Sequence, residues 1–119
     1  AKRHGWYVDF AWAPNTPPLS KEAPIALYRT LQEALTNAAR HANTKKLKVL
    51  AGFDEQAREF ILIVENDGIA SSGPINPSLG LTGIRERMAS LQGSVVWTIE
   101  EDRFVLRCHV PVIEVNHAT

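Results

Sequence analysis

The chain has 119 residues, 45% apolar and 22% charged, a composition that suits one globular domain and excludes a disordered chain. Thirteen basic side chains balance thirteen acidic ones, so no long-range charge draws it to nucleic acid or to an anionic membrane, and any phosphate binding must come from local geometry. The single cysteine, Cys108, excludes an internal disulfide and a thiolate metal cluster.

No apolar run approaches the ~20 residues of a membrane helix, and no apolar core follows Ala1–Gly5 as it would in a signal peptide. The chain reads as soluble and suited to a reducing compartment. It lacks an initiator Met and reads as an excised piece of a longer protein. No repeat or low-complexity tract interrupts it.

Residues 7–12 alternate as a strand does, and three prolines in 13–18 make a loop. A helix starts between Ser20, an N-cap candidate, and Pro24, and runs to His41 or Ala42. Its predicted core stripe is Leu27, Leu31, Leu35, Ala38 and Ala42. Residues 47–53 and 59–64 are strands around the polar turn 54–58, the second apolar throughout and therefore central. Residues 65–78 read as a polar loop. A second helix follows over 82–91, with Ile84, Met88 and Leu91 as its stripe and Gly93 as C-terminal cap. Two strands joined at 101–103 close the chain. Val95, Trp97 and Ile99 share one face of the first; Phe104, Leu106, Cys108 and Val110 share one face of the second. Cys108 thus reads as a small core residue, and 113–119 as a loose tail. This order predicts a single domain over 1–119: an α/β (α+β) two-layer sandwich with a mixed sheet and helices on one face.

Three features carry chemistry. Glu33, Asn37 and His41 recur every four residues and share a face of the first helix, with Arg40 beside them. Oxygen donors of this kind suit Mg²⁺, which keeps waters and shares substrate phosphates; alone, the stripe fits a solvated polar face better. Glu65-Asn66-Asp67-Gly68 follows a buried strand, where ligand sites and plain turns both occur. Gly80-Leu81-Thr82-Gly83 opens the second helix, where free N–H groups attract phosphate; alone, a glycine pair with a Thr cap is a weak signal.

In this order the three resemble the Bergerat (GHKL) ATP-binding fold of histidine kinases, gyrase, a heat-shock chaperone and MutL. The run LYRTLQEALTNAARHA from Leu27 to Ala42 is similar to the N box of the nitrate-sensor and desaturase-thermosensor branch of sensor histidine kinases, the NarX, UhpB and DesK type. GLTGIRER from Gly80 to Arg87 is similar to that branch's second glycine box. The resemblance covers residues 20–112. It implies an ATP-binding catalytic domain that passes the γ-phosphoryl group of ATP to a histidine on a separate dimerisation domain. It further implies that Asn37 binds Mg²⁺, that Glu33 orders a metal-bound water or assists as a base, and that Arg40 and His41 lie near the phosphates or ribose. His41 is not the phosphoacceptor. Gly80, Leu81, Thr82 and Gly83 would line the phosphate side of a lid over 69–78. Where the family's Asp-x-Gly-x-Gly box has the Asp that binds adenine, this chain has Asn66, followed by Asp67, Gly68, Ile69 and Ala70. An Asn oxygen still accepts a hydrogen bond, without the charge-assisted part, which is roughly half of its strength. Asp67 could replace it in a shifted register. The implied partners are the acceptor helices of the same kinase, a homodimer in the full-length protein, and a response regulator of the LuxR type; no nucleic acid and no membrane contact by this domain is expected. The implied location is cytoplasmic, in a membrane-attached sensor. Two alternatives stand beside this reading: an ATP-gated protein-binding module of the anti-sigma kind, and a degenerate domain that binds no nucleotide, for which Asn66 and Ala70 are the evidence.

Overall fold

A computed structural model of the chain describes residues 7–12, 19–41, 45–68 and 81–112. The elements run β1 (Tyr7–Trp12), α1 (Ala23–His41), β2 (Lys46–Asp54), β3 (Glu59–Asn66), α2 (Leu81–Ser90), β4 (Ser94–Glu100) and β5 (Arg103–Pro111). The five strands form one mixed sheet in the order β1-β2-β3-β5-β4. β2, β3, β5 and β4 are antiparallel to their neighbours, and β1 adds to the outer side of β2 in parallel. The expected α+β sandwich with a mixed sheet is thus present.

Alternation along the strands decides which face is covered. Leu47, Val49 and Ala51 of β2, Phe60, Leu62 and Val64 of β3, and Phe104, Leu106, Cys108 and Val110 of β5 are all buried, and the strand registers put them side by side. Ile84 and Met88 of α2, both fully buried, join this layer, as do alanines of α1. The other face keeps Lys46 and Lys48 exposed, and on it Val105 is buried. β4 is an edge strand, with Val96 and Ile99 about half exposed.

The structure moves the core line of α1. The fully buried arc is Ala23, Ala26, Leu27, Thr30, Ala34 and Ala38, whereas Leu31 and Leu35 flank it, partly buried. The helix turns small side chains and one threonine to the sheet. Thr30 tolerates burial because its hydroxyl donates to the Ala26 carbonyl at 2.9 Å. Ala42, expected to end the stripe, lies outside the described residues. The N-terminus also differs: the Ser20 carbonyl, not its hydroxyl, accepts from the Ala23 N–H at 3.1 Å, and the buried Ser20 Oγ has no partner among the described residues.

Two strands are longer than expected. β3 continues through Glu65 to Asn66, because Asn66 is still in register with Leu47 on one side and Phe104 on the other. At the end of α2 the Gln92 N–H reaches Ala89 O at 3.0 Å and the Gly93 N–H reaches Met88 O at 2.8 Å, the two bonds of a Schellman cap. The left-handed residue of that cap is Gln92, with φ 62°, not Gly93. Gly93 is needed for another reason: a Cβ there would overlap the His109 carbonyl oxygen. The 113–119 tail lies outside the described residues.

Gln92 holds a backbone conformation that glycine adopts without steric cost. Gln92→Gly should therefore raise the stability of the domain by on the order of 0.5–1 kcal/mol, read as a higher urea midpoint at unchanged slope. Cys108, fully buried, has its thiol pKa pushed from 9.0 up to about 12, by burial first, with the Arg87 charge opposing. The folded state thus keeps a proton that the unfolded chain releases above pH 9, and stability falls as pH climbs from there towards 12. At pH 10 the wild-type chain should lose roughly 1 kcal/mol more, relative to pH 8, than Cys108→Ala does, by urea unfolding at both pH values.

Candidate functional site

The end of β3 is tied down from two sides. Asn66, its last residue, is 6% exposed and turned to the helix side, and its Nδ2 donates to the Asp67 carbonyl at 3.2 Å. Asp67 turns away: its Oδ1 accepts from the backbone N–H groups of Lys45 at 2.7 Å and Lys46 at 2.9 Å. Gly68 has φ 81°, a value that favours glycine, and donates its N–H to Asp102 Oδ2 in the β4–β5 turn at 3.1 Å. The Asp67 carboxylate therefore organises the start of β2, and Asn66 is the residue of the pair facing the helices. Behind the turn, on the helix-free face, Lys46, Lys48, Glu65 and Arg103 border a cleft of about 220 Å³, bridged by Arg103 to Glu65 at 2.8 Å.

The helix directions follow from the same contacts. α1 ends at His41, only four residues before Lys45, whose N–H is held by Asp67; four residues span at most ~14 Å. The C-terminal end of α1 thus lies at the Asn66 end of the sheet. α2 runs the other way. Its terminus packs at His109 through Gly93, and His109 pairs with Ile61, well back along β3. Nearer its start, the Arg85 guanidinium lies 5.0 Å over the Trp97 ring, on the way along β4 to Ile99, which faces Phe104. The C-terminal half of α1, the N-terminal half of α2 and the Asn66-Asp67-Gly68 turn therefore meet at one end of the sandwich. That is the arrangement the three sequence features required.

Glu33 and Asn37 sit on the same side of α1, each partly buried. Glu33 Oε1 accepts from Arg87 Nη1 of α2 at 3.0 Å. The side chains of Arg40 and His41, and Gly80, Ile69 and Ala70 entirely, lie outside the described residues, as does the 69–78 lid. Leu81 is buried and Thr82 exposed; α2 begins at Leu81, one residue earlier than expected, so Thr82 lies inside the first turn and does not cap it. Gly83 is the informative glycine. Among the described residues, nothing lies within 4 Å of where its Cβ would be, so packing of the fold does not require it, although glycine in a helix costs about 1 kcal/mol relative to alanine. A helix start with a missing side chain and open space beside it fits the approach of phosphate groups. Among the described residues, no three His, Cys, Asp or Glu side chains gather into a protein-only metal site. The oxygens of Glu33 and Asn37 fit instead a hard cation that completes its shell with water and phosphate.

Sequence reasoning gave no role to Arg87 or Asp102. Each lies far in sequence from its partner, 54 residues for Arg87 to Glu33 and 34 for Asp102 to Gly68, and no local spacing reveals such pairs.

No family model matches the chain. Among curated proteins, it is 34% identical over 85 residues to the signal transduction histidine-protein kinase/phosphatase UhpB of Salmonella typhimurium, covering 71% of this chain and 17% of that protein. It is 34% identical over 115 residues to the sensor histidine kinase MctS of Rhizobium johnstonii, covering 93% and 25% respectively. The chain thus spans a quarter or less of the length of these relatives. Among solved structures, Acinetobacter baumannii histidine kinase AdeS superposes with a TM-score of 0.72 at 15% identity, over 92% of this chain and 56% of that one. The histidine kinase domain of the E. coli osmosensor EnvZ superposes at 0.67 with 18% identity, over 98% and 82%. At these identities the superpositions show a shared fold.

The two bonds on Asp67 Oδ1 are charge-assisted but exposed, so water can take the donors when they are lost. Asp67→Ala should lower the stability of the ligand-free domain by about 1 kcal/mol, with Asp67→Asn in between, as measured by urea unfolding.

Proposed function

We propose that this chain, which belongs to the sensor histidine kinases and corresponds to their ATP-binding catalytic domain, binds Mg²⁺–ATP and presents the γ-phosphoryl group to a histidine on separate helices of the same kinase. The observation that carries the reading is that, among the described residues, nothing lies within 4 Å of a Cβ placed at Gly83, in the first turn of α2.

Each group has work suited to its chemistry. The Asn66 amide oxygen accepts a hydrogen bond from the adenine amino group, and its burial keeps water from competing. The free N–H groups at the start of α2, with Gly80, Leu81, Thr82 and Gly83, hold phosphate oxygens by backbone contact and helix dipole. Asn37 and Glu33 hold Mg²⁺ directly or through its waters, with Arg40 and His41 further along the same helix facing phosphates or ribose. Bound there, Mg²⁺ neutralises charge that develops on the transferring phosphoryl group. Asp67 and Asp102 contribute by fixing the backbone at Gly68. Phosphoryl transfer asks the protein chiefly for positioning and charge neutralisation, and this inventory supplies both without a nucleophile of its own. The acceptor helices, a homodimer built through them, and a response regulator of the LuxR type are the partners that follow. No described helix is long and apolar enough to cross a membrane; a cytoplasmic domain of a membrane-attached sensor is the placement we propose.

Calorimetry on the 119-residue chain tests this. The wild type should bind ATP with Mg²⁺, and Asn37→Ala should abolish the Mg²⁺-dependent part. Gly83→Ala should separate folding from binding: it stabilises the ligand-free helix by up to about 1 kcal/mol while weakening ATP at least tenfold, about 1.4 kcal/mol. A Gly83→Ala protein that binds as the wild type does would remove the phosphate site from α2.

A further inference from the structure

We propose that Arg87 is a positioning residue of this nucleotide site, acting through Glu33; the inference rests on the reading of the site given above. Arg87 Nη1 donates to Glu33 Oε1 at 3.0 Å and lies 3.3 Å from Thr30 Oγ1. Thr30 is fully buried, and its own hydroxyl proton goes to Ala26 O. The hydroxyl is therefore left as an acceptor for the guanidinium. One end of the contact is thus fixed in the α1 core, while the carboxylate, about 30% exposed, sits above it at the rim.

The position of this contact gives it a bearing on the site. Glu33 is one turn before Asn37 on α1, and Arg87 is one turn after Gly83 on α2, each pair on a common helix face. Because the two helices run in opposite directions here, Asn37 and Gly83 lie on the same side of the ion pair, towards Asn66. The Arg87–Glu33 pair therefore closes the inner end of the gap between the metal-binding amide and the phosphate-binding helix start. It sets the separation of those two elements and holds Glu33 in one rotamer. It also offsets a carboxylate charge that would otherwise repel the phosphates of a nucleotide entering beside it.

Arg85 gives a built-in comparison. It lies two residues earlier on α2 and braces the helix from the opposite side, its guanidinium over Trp97 of β4. Both arginines anchor α2, but among the described residues only Arg87 is paired with a residue assigned to the site. Both bonds leave the one nitrogen Nη1; a lysine in place of Arg87 keeps the charge but carries it on a flexible stem, without the fixed geometry of the guanidinium.

The test compares four proteins by calorimetry with Mg²⁺–ATP: wild type, Arg87→Ala, Arg87→Lys and Arg85→Ala, with urea unfolding of each in parallel. Arg87→Ala should weaken Mg²⁺–ATP about tenfold, in line with loss of one charge-assisted contact. Arg87→Lys should recover part of that loss. Arg85→Ala should stay within about twofold of the wild type even where it costs as much stability. If Arg87→Ala binds as the wild type does, or if Arg85→Ala weakens binding equally, Arg87 merely supports the fold and the inference is overturned. Should Arg87→Ala not fold, Arg87→Lys against Arg85→Lys carries the same comparison: a loss of about threefold for the first alone supports the proposal, and equal affinities overturn it. Absence of Mg²⁺–ATP binding by the wild type would instead strike the function proposed above, and this inference with it.

Discussion

Two carboxylates determine where the end of β3 can lie. Asp67 gathers the backbone N–H groups of Lys45 and Lys46, and Asp102 takes that of Gly68. The ties reach both sides of β3: Asp67 holds the start of β2, and Asp102 comes from the turn between β4 and β5. The central strand is thus finished by its neighbours and not by its own turn. Everything functional at this end is referred to that fixed point: the direction of Asn66, the left-handed glycine after it, and the distance from α1 to the sheet. Bonds to a charged acceptor are roughly twice as strong as neutral ones, which suits a strand end that must remain in place.

α1 reaches the same place by having little bulk. Four alanines, Leu27 and one internally bonded threonine form the buried face of the helix, and the longer Leu31 and Leu35 are displaced to its flank. Leu31 and Leu35 pack on one flank, while Glu33 and Asn37 take the other, beside α2. A helix packed through leucines would stand further out and would lift the polar row away from α2. The contact of Glu33 with Arg87 therefore depends on the alanines that face the sheet as well as on Thr30, which shares Arg87 Nη1.

Much of this was legible in the amino-acid order. The unbroken apolar run of 59–64 marked the central strand correctly, and Cys108 was readable as core because Phe104, Leu106 and Val110 share its parity. The helix directions bring the C-terminal end of α1 to the Asn66 end of the sheet; the joint site expected of Glu33, Asn37 and Asn66 belongs to the proposed function. The core line of α1 was not legible. Leucine outranks alanine in any apolar count, yet close packing favours the smaller residue where helix and sheet approach most nearly. The end of β3 was misjudged because Glu65 and Asn66 look like turn residues until the ladder partners on both sides are known. The identity of the left-handed residue after α2 was missed for a similar reason: glycine was the natural choice on conformational grounds, whereas Gly93 is there to clear the His109 carbonyl.

The edge of the sheet has a consequence for the chain in concentrated solution. Among the described strands β4 is an outer one, and its interior, Val95 to Ile99, carries no proline and no charge, with Val96 and Ile99 half open to water. Natural sheets commonly protect such rims with lysine, proline or a bulge. The formal charge of zero removes the long-range repulsion that would otherwise hold copies apart. A shift of pH that charges the whole molecule restores that repulsion and disfavours pairing of this edge between copies.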